Sequence, residues 1–308
     1  MSDQPDGLLS IQDFIRWGAS RFNEAGLCFG HGADNSLDEA AELVLSALHL
    51  PPDFPGTYRD CRLTELERSA VASLIAERIS SRKPAAYLTR RARFAGIDFL
   101  VTEDVLVPRS PLGELVECGF SPWLAMGQAP QILDLCAGSG CIGIAAALHL
   151  PDAAVDLAEL SPKALALARQ NLDRHQLHDR VRVIESDLFS GLTGCCYDLI
   201  VSNPPYVAAE ELAALPPEYG AEPRVGLAGG ADGLDLVMPI LEQAAGYLSA
   251  EGILIVEVGS SAEELLRQCP EVPFTWLELE RGGDGVFLLT RAQLEAFRPS
   301  FVRARRGA

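Results

Sequence analysis

From residue 131 onward the chain alternates short apolar runs with amphipathic helical stretches, and few folds satisfy that rhythm. QILDLCA, AVDLAEL, VRVIESD and YDLIVSN are of strand length and carry branched residues. GIAAALHL and SPKALALARQNLDRH separate the first three. Strands joined through helices pair in parallel, and a parallel sheet needs helices on both faces. GILIVEV, FTWLELE and GVFLLT supply three later strands. The pattern predicts a seven-stranded, mostly parallel sheet in an α/β fold. With 308 residues and a hydrophobic fraction of 48%, the chain can bury a large core and has room for a second unit.

Residues from about 9 to 90 follow the helical period instead. LLSIQDFIRWGASRFNEAG spaces Leu8, Ile11, Phe14, Ile15 and Phe22 along one helix face. DEAAELVLSALHL, the breaker run PPDFPG and the amphipathic TELERSAVASLIAERISS follow. Thr64 suits an N-cap, and Glu67 three residues on completes a capping box. RFAGIDFLVTEDVLVPR alternates branched or aromatic residues with turn formers and reads as a hairpin. The expected layout is a helical domain over 1–90, a β-hairpin linker over 91–110, the sheet domain over 111–298 and a loose basic tail over 299–308.

The first strand of the sheet ends at Asp134 and Leu135 and runs into Gly138, Gly140 and Gly143. Glycines allow a tight turn and a close approach of backbone to ligand, and the helix that follows offers unpaired N–H groups to an anion. The GxGxxG spacing suits a dinucleotide, with Glu159 about 20 positions on for a ribose hydroxyl. Asp134 argues otherwise: a carboxylate there repels a pyrophosphate but can bond an ammonium, directly or through water. The third strand also ends in an acid, Asp187, placed to accept from an adenine amino group. Acids after three successive strands match a ligand carrying an amine, a diol and an adenine, which is S-adenosylmethionine. Each acid alone also fits a solvated strand end.

The fourth strand ends in Asn203-Pro204-Pro205-Tyr206. The prolines remove N–H donors and hold the residue before them extended, so Asn203 projects at a fixed angle beside the glycine loop. An amide nitrogen is a poor nucleophile because its lone pair is delocalised. Two acceptors aimed at an NH2 group, the Asn203 side-chain oxygen and the Pro204 carbonyl, can orient it toward a methyl donor, while Tyr206 packs on the flat amide. Catalysis is then mostly positioning, with solvent excluded. No metal is required.

These motifs together resemble the HemK-type protein-glutamine methyltransferases, over about residues 9 to 295. Glu218-Tyr219, Glu222-Pro223-Arg224, Gly229-Gly230 and Asp232-Gly233-Leu234-Asp235 extend the resemblance beyond the tetrad. It implies a class I S-adenosylmethionine methyltransferase with a Rossmann-like sheet, a small helical N-terminal domain and a β-hairpin linker. It implies Asn203, Pro204 and Tyr206 as catalytic residues. It implies cofactor contacts at Asp134, Gly138, Ser139, Gly140, Glu159, Leu160, Asp187, Leu188 and Asn203, and substrate contacts at Asn203, Pro204, Pro205, Tyr206 and Arg109. Glu159 departs from the commoner Asp, which changes the stem that reaches a ribose. Two branches of the family differ in substrate. The release-factor branch usually reads IPRP where this chain reads Val107-Pro108-Arg109-Ser110-Pro111. That linker and Gly30-His31-Gly32-Ala33-Asp34-Asn35 resemble the branch acting on large-subunit ribosomal protein L-three. The implied reaction moves a methyl group from S-adenosyl-L-methionine to a glutamine side-chain nitrogen of that protein, before or during ribosome assembly, leaving S-adenosyl-L-homocysteine. The alternative is a release factor.

Charge bears on the partner. The formal net charge is -18, with 25 Lys+Arg against 43 Asp+Glu. Such a surface repels phosphate backbones and suits a basic protein. Adenine amino-methylation of DNA shares the tetrad's chemistry but wants a basic groove, and no basic cluster flanks the tetrad. A nicotinamide oxidoreductase leaves the tetrad and Asp187 unexplained, and an inactive binding module leaves both motifs unexplained. Eight cysteines without a CxxC pair predict no zinc site and fit a reducing cytoplasm. Cys136 and Cys141 read as buried small residues, and His175 and His178 as surface residues at a helix end. The N-terminal residues show no secretory pattern and no apolar run reaches membrane-spanning length.

Overall fold

The computed structural model describes residues 7–124 and 129–307. Residues 1–6, part of the stretch read for a leader, lie outside them, as do 125–128 of the expected sheet domain and Ala308 of the expected tail. The chain forms two units, Met1–Ala92 with Pro216–Ala221, and Arg93–Leu215 with Glu222–Ala308.

The first unit is helical: α1 (Ile11–Glu24), α2 (Ser36–Ala47), α3 (Glu65–Ser81) and α4 (Ala85–Thr89). Each long helix starts at a side-chain cap. Ser10 and Asp13 form a capping box on α1, Asn35 caps α2, and Thr64 with Glu67 forms the expected box on α3. Phe14, Phe22, Leu43, Val44, Val71 and Ile75 pack into one core. Leu8, counted above in the first helical stripe, precedes the Ser10 cap and packs on that core from the chain entering the helix. Within the core lies an ion pair: Arg78 is 0% exposed and donates from Nε to Glu39 at 2.8 Å. Glu39 also accepts from the Ala85 N–H at 3.0 Å, so its charge is met from two directions.

The division between the units falls within β1 (Arg91–Phe94), which pairs with β2 (Ile97–Leu100) as a hairpin. Ala95 and Gly96 both take positive φ, 46° and 76°, as a two-residue turn of matching twist requires. After α5 (Leu112–Glu117) come β3 (Gln131–Leu135), α6 (Cys141–His149), β4 (Ala154–Glu159), α7 (Pro162–His175), β5 (Val181–Glu185) and β6 (Tyr197–Ser202). The short α8 (Ala209–Ala214) and α9 (Arg224–Leu227) lead to α10 (Val237–Gln243), β7 (Leu248–Glu257), α11 (Ala262–Gln268), β8 (Thr275–Trp276), β9 (Val286–Thr290) and α12 (Arg291–Gly307). The seven later strands form one sheet in the order β5-β4-β3-β6-β7-β9-β8. β3 to β7 pair in parallel and β9 runs antiparallel to both of its neighbours. Alternate residues of one strand feed opposite cores: Ile253 and Ile255 join one, Leu254 and Val256 the other. Burial of both faces explains why these strands read as unbroken apolar runs.

Three further expectations change. Of the expected tail over 299–308, the described residues 299–307 are not loose. They continue α12, where Leu294, Phe297, Phe301 and Ala304 keep helical spacing and Phe301 is 0% exposed. The arginines that suggested a tail pair with acids of the same unit, Arg303 with Glu271 at 2.6 Å and Arg305 with Glu242 at 3.0 Å. FTWLELE yields only the two-residue edge strand β8. His175 is half-buried: its Nε2 donates to the Asp98 carbonyl at 3.0 Å and its ring packs on Phe99, anchoring the hairpin to α7.

Candidate active site

Parallel register levels the carboxyl ends of the central strands. Leu135 stands opposite Ala158 of β4 and Ser202 of β6, and Glu159 stands opposite Glu185 of β5. From β3 the order runs one way to β4 and the other way to β6. Ligands of open α/β sheets bind at such a reversal, outside the carboxyl ends. The glycine loop, Glu159, Asp187 and the Asn203 tetrad all leave this edge.

The loop after β3 is built from left-handed backbone: φ is 63° at Cys136, 55° at Gly138 and 77° at Gly140. Gly143 is required by packing, since a Cβ there would fall 2.3 Å from Leu157 Cδ2 and 2.9 Å from Asp134 Cβ. Around Gly138 a Cβ would meet nothing within 4 Å, so that face of the loop is open. Ser139 is buried, and its carbonyl accepts from Asn171 Nδ2 at 3.0 Å. Asn171, itself buried, also exchanges two hydrogen bonds with Leu100, so α7 fastens the loop and the hairpin together. Cys141 is buried as expected, whereas Cys136 is only half-buried; burial pushes both thiols up to about 12.

Asp134 is 0% exposed. One carboxylate oxygen accepts from the Gly143 N–H at 2.8 Å and so caps α6, while the other, Oδ1, has no hydrogen-bond partner among the described residues. Burial pushes this carboxyl up to about 7; the Gly143 N–H opposes the shift and nearby Glu159 adds to it. A cation at Oδ1 would offset the desolvation, which fits the ammonium of S-adenosylmethionine. Glu159 accepts from Gly138 N at 2.8 Å through one oxygen and from Leu160 and Ser161 N–H groups at 2.9 and 2.8 Å through the other. Leu160 is 55% exposed, Asp187 is exposed, and Leu188 follows it with φ 47°.

At the end of β6, Ser202 Oγ donates to the Leu135 carbonyl at 2.6 Å and ties the tetrad strand to the loop strand. Asn203 is half-buried and its carboxamide makes no hydrogen bond with the described residues, while Pro204 and Pro205 are buried. Tyr206 is anchored at both ends. Its hydroxyl donates to Glu257 at 2.8 Å, and its carbonyl accepts from Ser261 Oγ at 2.7 Å. Burial, with the Glu257 carboxylate beside it, pushes the phenol up. Glu257 also accepts from Ser110 Oγ, and its own carboxyl is raised by burial against the pull of these two hydroxyls and of Arg109. Arg109 engages Glu222 through both terminal nitrogens, the Nη2 contact being 2.7 Å, and Glu222 accepts from Val107 N at 3.1 Å. The guanidinium thus joins the linker to the loop that follows the tetrad.

Asn171, Glu222 and Glu257 escaped the sequence reading. Each had a signal: Asn171 interrupts the apolar face of α7, and Glu257 closes an apolar strand. Glu222 belongs to a segment that was singled out without a role. His31 of the 30–35 stretch is buried and packs on Tyr219 at a ring separation of 4.4 Å. Among the described residues no group of three or more His, Cys, Asp or Glu is arranged to hold a metal ion, and no helix is long and apolar enough to cross a membrane.

Residues 122–215, from before β3 through the tetrad, match the methyltransferase small domain family. Over 94% of its length the chain is 51% identical to the ribosomal protein uL3 glutamine methyltransferase of Xylella fastidiosa strain 9a5c, 93% of which is covered. It is equally identical, over 94% of both chains, to the protein of that name from Xanthomonas campestris pv. campestris. With half of all residues shared across nearly the whole length, this chain belongs to the ribosomal protein uL3 glutamine methyltransferase family.

Proposed function

We propose that the protein transfers the methyl group of S-adenosyl-L-methionine to the side-chain amide nitrogen of a glutamine in ribosomal protein uL3, releasing S-adenosyl-L-homocysteine. The observation that carries this reading is the tetrad. Asn203 leaves a buried strand end, beside a glycine loop whose first strand ends in Asp134; among the described residues neither the Asn203 carboxamide nor Asp134 Oδ1 has a hydrogen-bond partner. The sulfonium supplies an electrophilic methyl group when bound. Asp134 holds the ammonium, Glu159 the ribose diol and Asp187 the adenine amino group, while Gly138, Ser139, Gly140, Leu160 and Leu188 shape the backbone around them. The Asn203 oxygen and the Pro204 carbonyl accept from the substrate NH2 group and aim its nitrogen. Pro205 stiffens the turn, and Tyr206 supplies the flat wall. Positioning of this kind compensates for the weak nucleophilicity of the amide; as the nitrogen gains the methyl group it loses one proton, which would leave along the hydrogen bond to the Pro204 carbonyl and on to water. Arg109 acts on substrate through the loop held by Glu222.

The helical unit, with its own core and little chemistry, reads the substrate protein. The acidic chain, at net charge -18, draws in basic uL3 while it is still free of RNA, before or during assembly in the cytoplasm. The test is a radiolabelled transfer assay on purified uL3 and a purified release factor side by side. Label on uL3 alone is expected. Label on the release factor alone would keep the chemistry and overturn the substrate.

A further inference from the structure

Tyr206 is confined on more sides than a residue at a loop start needs. A Cβ at Gly229 would fall 2.7 Å from its Cα, one at Gly233 2.3 Å from its carbonyl oxygen, and one at Gly259 2.5 Å from ring atom Cε2. Gly233 and Gly259 also take positive φ, 84° and 44°. Backbone free of side chains is what lets three segments close on one residue. At the polar end of the ring stands Glu257, the last residue of β7 and 4% exposed, whose second oxygen is taken by Ser110 from the linker. With Ser261 on the carbonyl, the ring is restrained at its backbone, one edge and its hydroxyl.

We propose that Glu257, oriented by Ser110, is a positioning residue that locks the Tyr206 ring at the angle the substrate amide packs against, with Gly259 providing the space for that angle. The proposal rests on the reading of Tyr206 as the substrate wall. An amide reacts only from a near-attack geometry, and a displacement of about 1 Å can cost about 10²-fold in rate. A ring set before substrate arrives supplies that geometry without ordering at the moment of binding.

The test is a double-mutant cycle on the full-length enzyme, with Glu257→Leu, Tyr206→Phe and the pair, reading kcat, KM for uL3 and affinity for S-adenosylhomocysteine. Glu257→Leu is expected to lower kcat about 10²-fold while cofactor affinity holds within about twofold. In the Tyr206→Phe background the same change should cost at least about tenfold less, because the coupled hydroxyl is already gone. Glu257→Gln, which keeps an acceptor for Tyr206 and can donate to Ser110, should stay within about threefold of the parent. Equal losses from Glu257→Leu in both backgrounds would overturn the proposal and leave Glu257 a support of the fold. Should Glu257→Leu fail to fold, Gly259→Ala carries the test: it must lower kcat with cofactor affinity kept, and unchanged kcat would overturn the proposal. If the parent labels a release factor and not uL3, the substrate reading fails, and the cycle run on the release factor still judges Glu257 by itself.

Discussion

Glu39 in the helical unit and Asp134 in the sheet unit are both buried acids, and what faces them differs. Glu39 meets the Arg78 guanidinium and the Ala85 N–H. Asp134 has one N–H partner, no cation and an oxygen with no hydrogen-bond partner among the described residues. A buried carboxylate is costly unless its charge is met. In the helical unit the chain meets it with its own side chains, and the acid is architecture. At the end of β3 no described residue meets it, and in the proposed reading the cofactor ammonium does. Perturbed, under-paired acids gather at functional sites for this reason.

Four substitutions can break or sharpen the contrast. Arg78→Met strands Glu39 in the helical core and should cost about 3–5 kcal/mol of stability, read by urea unfolding, with affinity of the folded protein for cofactor unchanged. Asn203→Ala should do the reverse. Turnover falls about 10²-fold or more, while stability stays within about 0.5 kcal/mol. Loss of stability in place of turnover would make the tetrad an ordinary strand end.

Asp134→Asn separates the two roles at one position. Its carboxyl is raised from 3.8 to about 7, so the folded state favours the protonated form. That stabilisation is complete below pH 3.8 and is lost as pH rises to about 7. Asparagine keeps an acceptor for Gly143 and does not titrate. The variant should therefore gain stability relative to the parent across that window, and hold the gain above it. It should also bind S-adenosylmethionine about tenfold more weakly, by calorimetry, for want of a charge opposite the ammonium. The smallest effect belongs to Glu42, raised from 4.5 to about 7 by burial and by Glu39, against Arg91. Glu42→Gln should flatten a stability loss that runs from about pH 4.5 to 7, and leave cofactor affinity and turnover alone. A change in cofactor affinity there would blur the line between the two units.

Much of this was legible in the sequence, and three of the misses share a cause. Strand number, the glycine loop, the tetrad and the Thr64 box follow from spacing over a few residues, which local physics sets. Asn171, Glu222 and Glu257 act on partners far along the chain, 71, 115 and 147 residues away in three of their hydrogen bonds. No local pattern carries such a pairing. The C-terminal helix was lost differently: its arginines drew attention from Phe297, Phe301 and Ala304, which keep the period begun at Leu294.

The most direct test of the central claim is peptide mapping of uL3 after reaction with isotopically labelled S-adenosylmethionine. The account predicts label on the side-chain nitrogen of a glutamine, appearing about 10²-fold more slowly or not at all when Asn203→Ala replaces the parent enzyme. Label on a lysine or arginine nitrogen, or undiminished labelling by the variant, would contradict it.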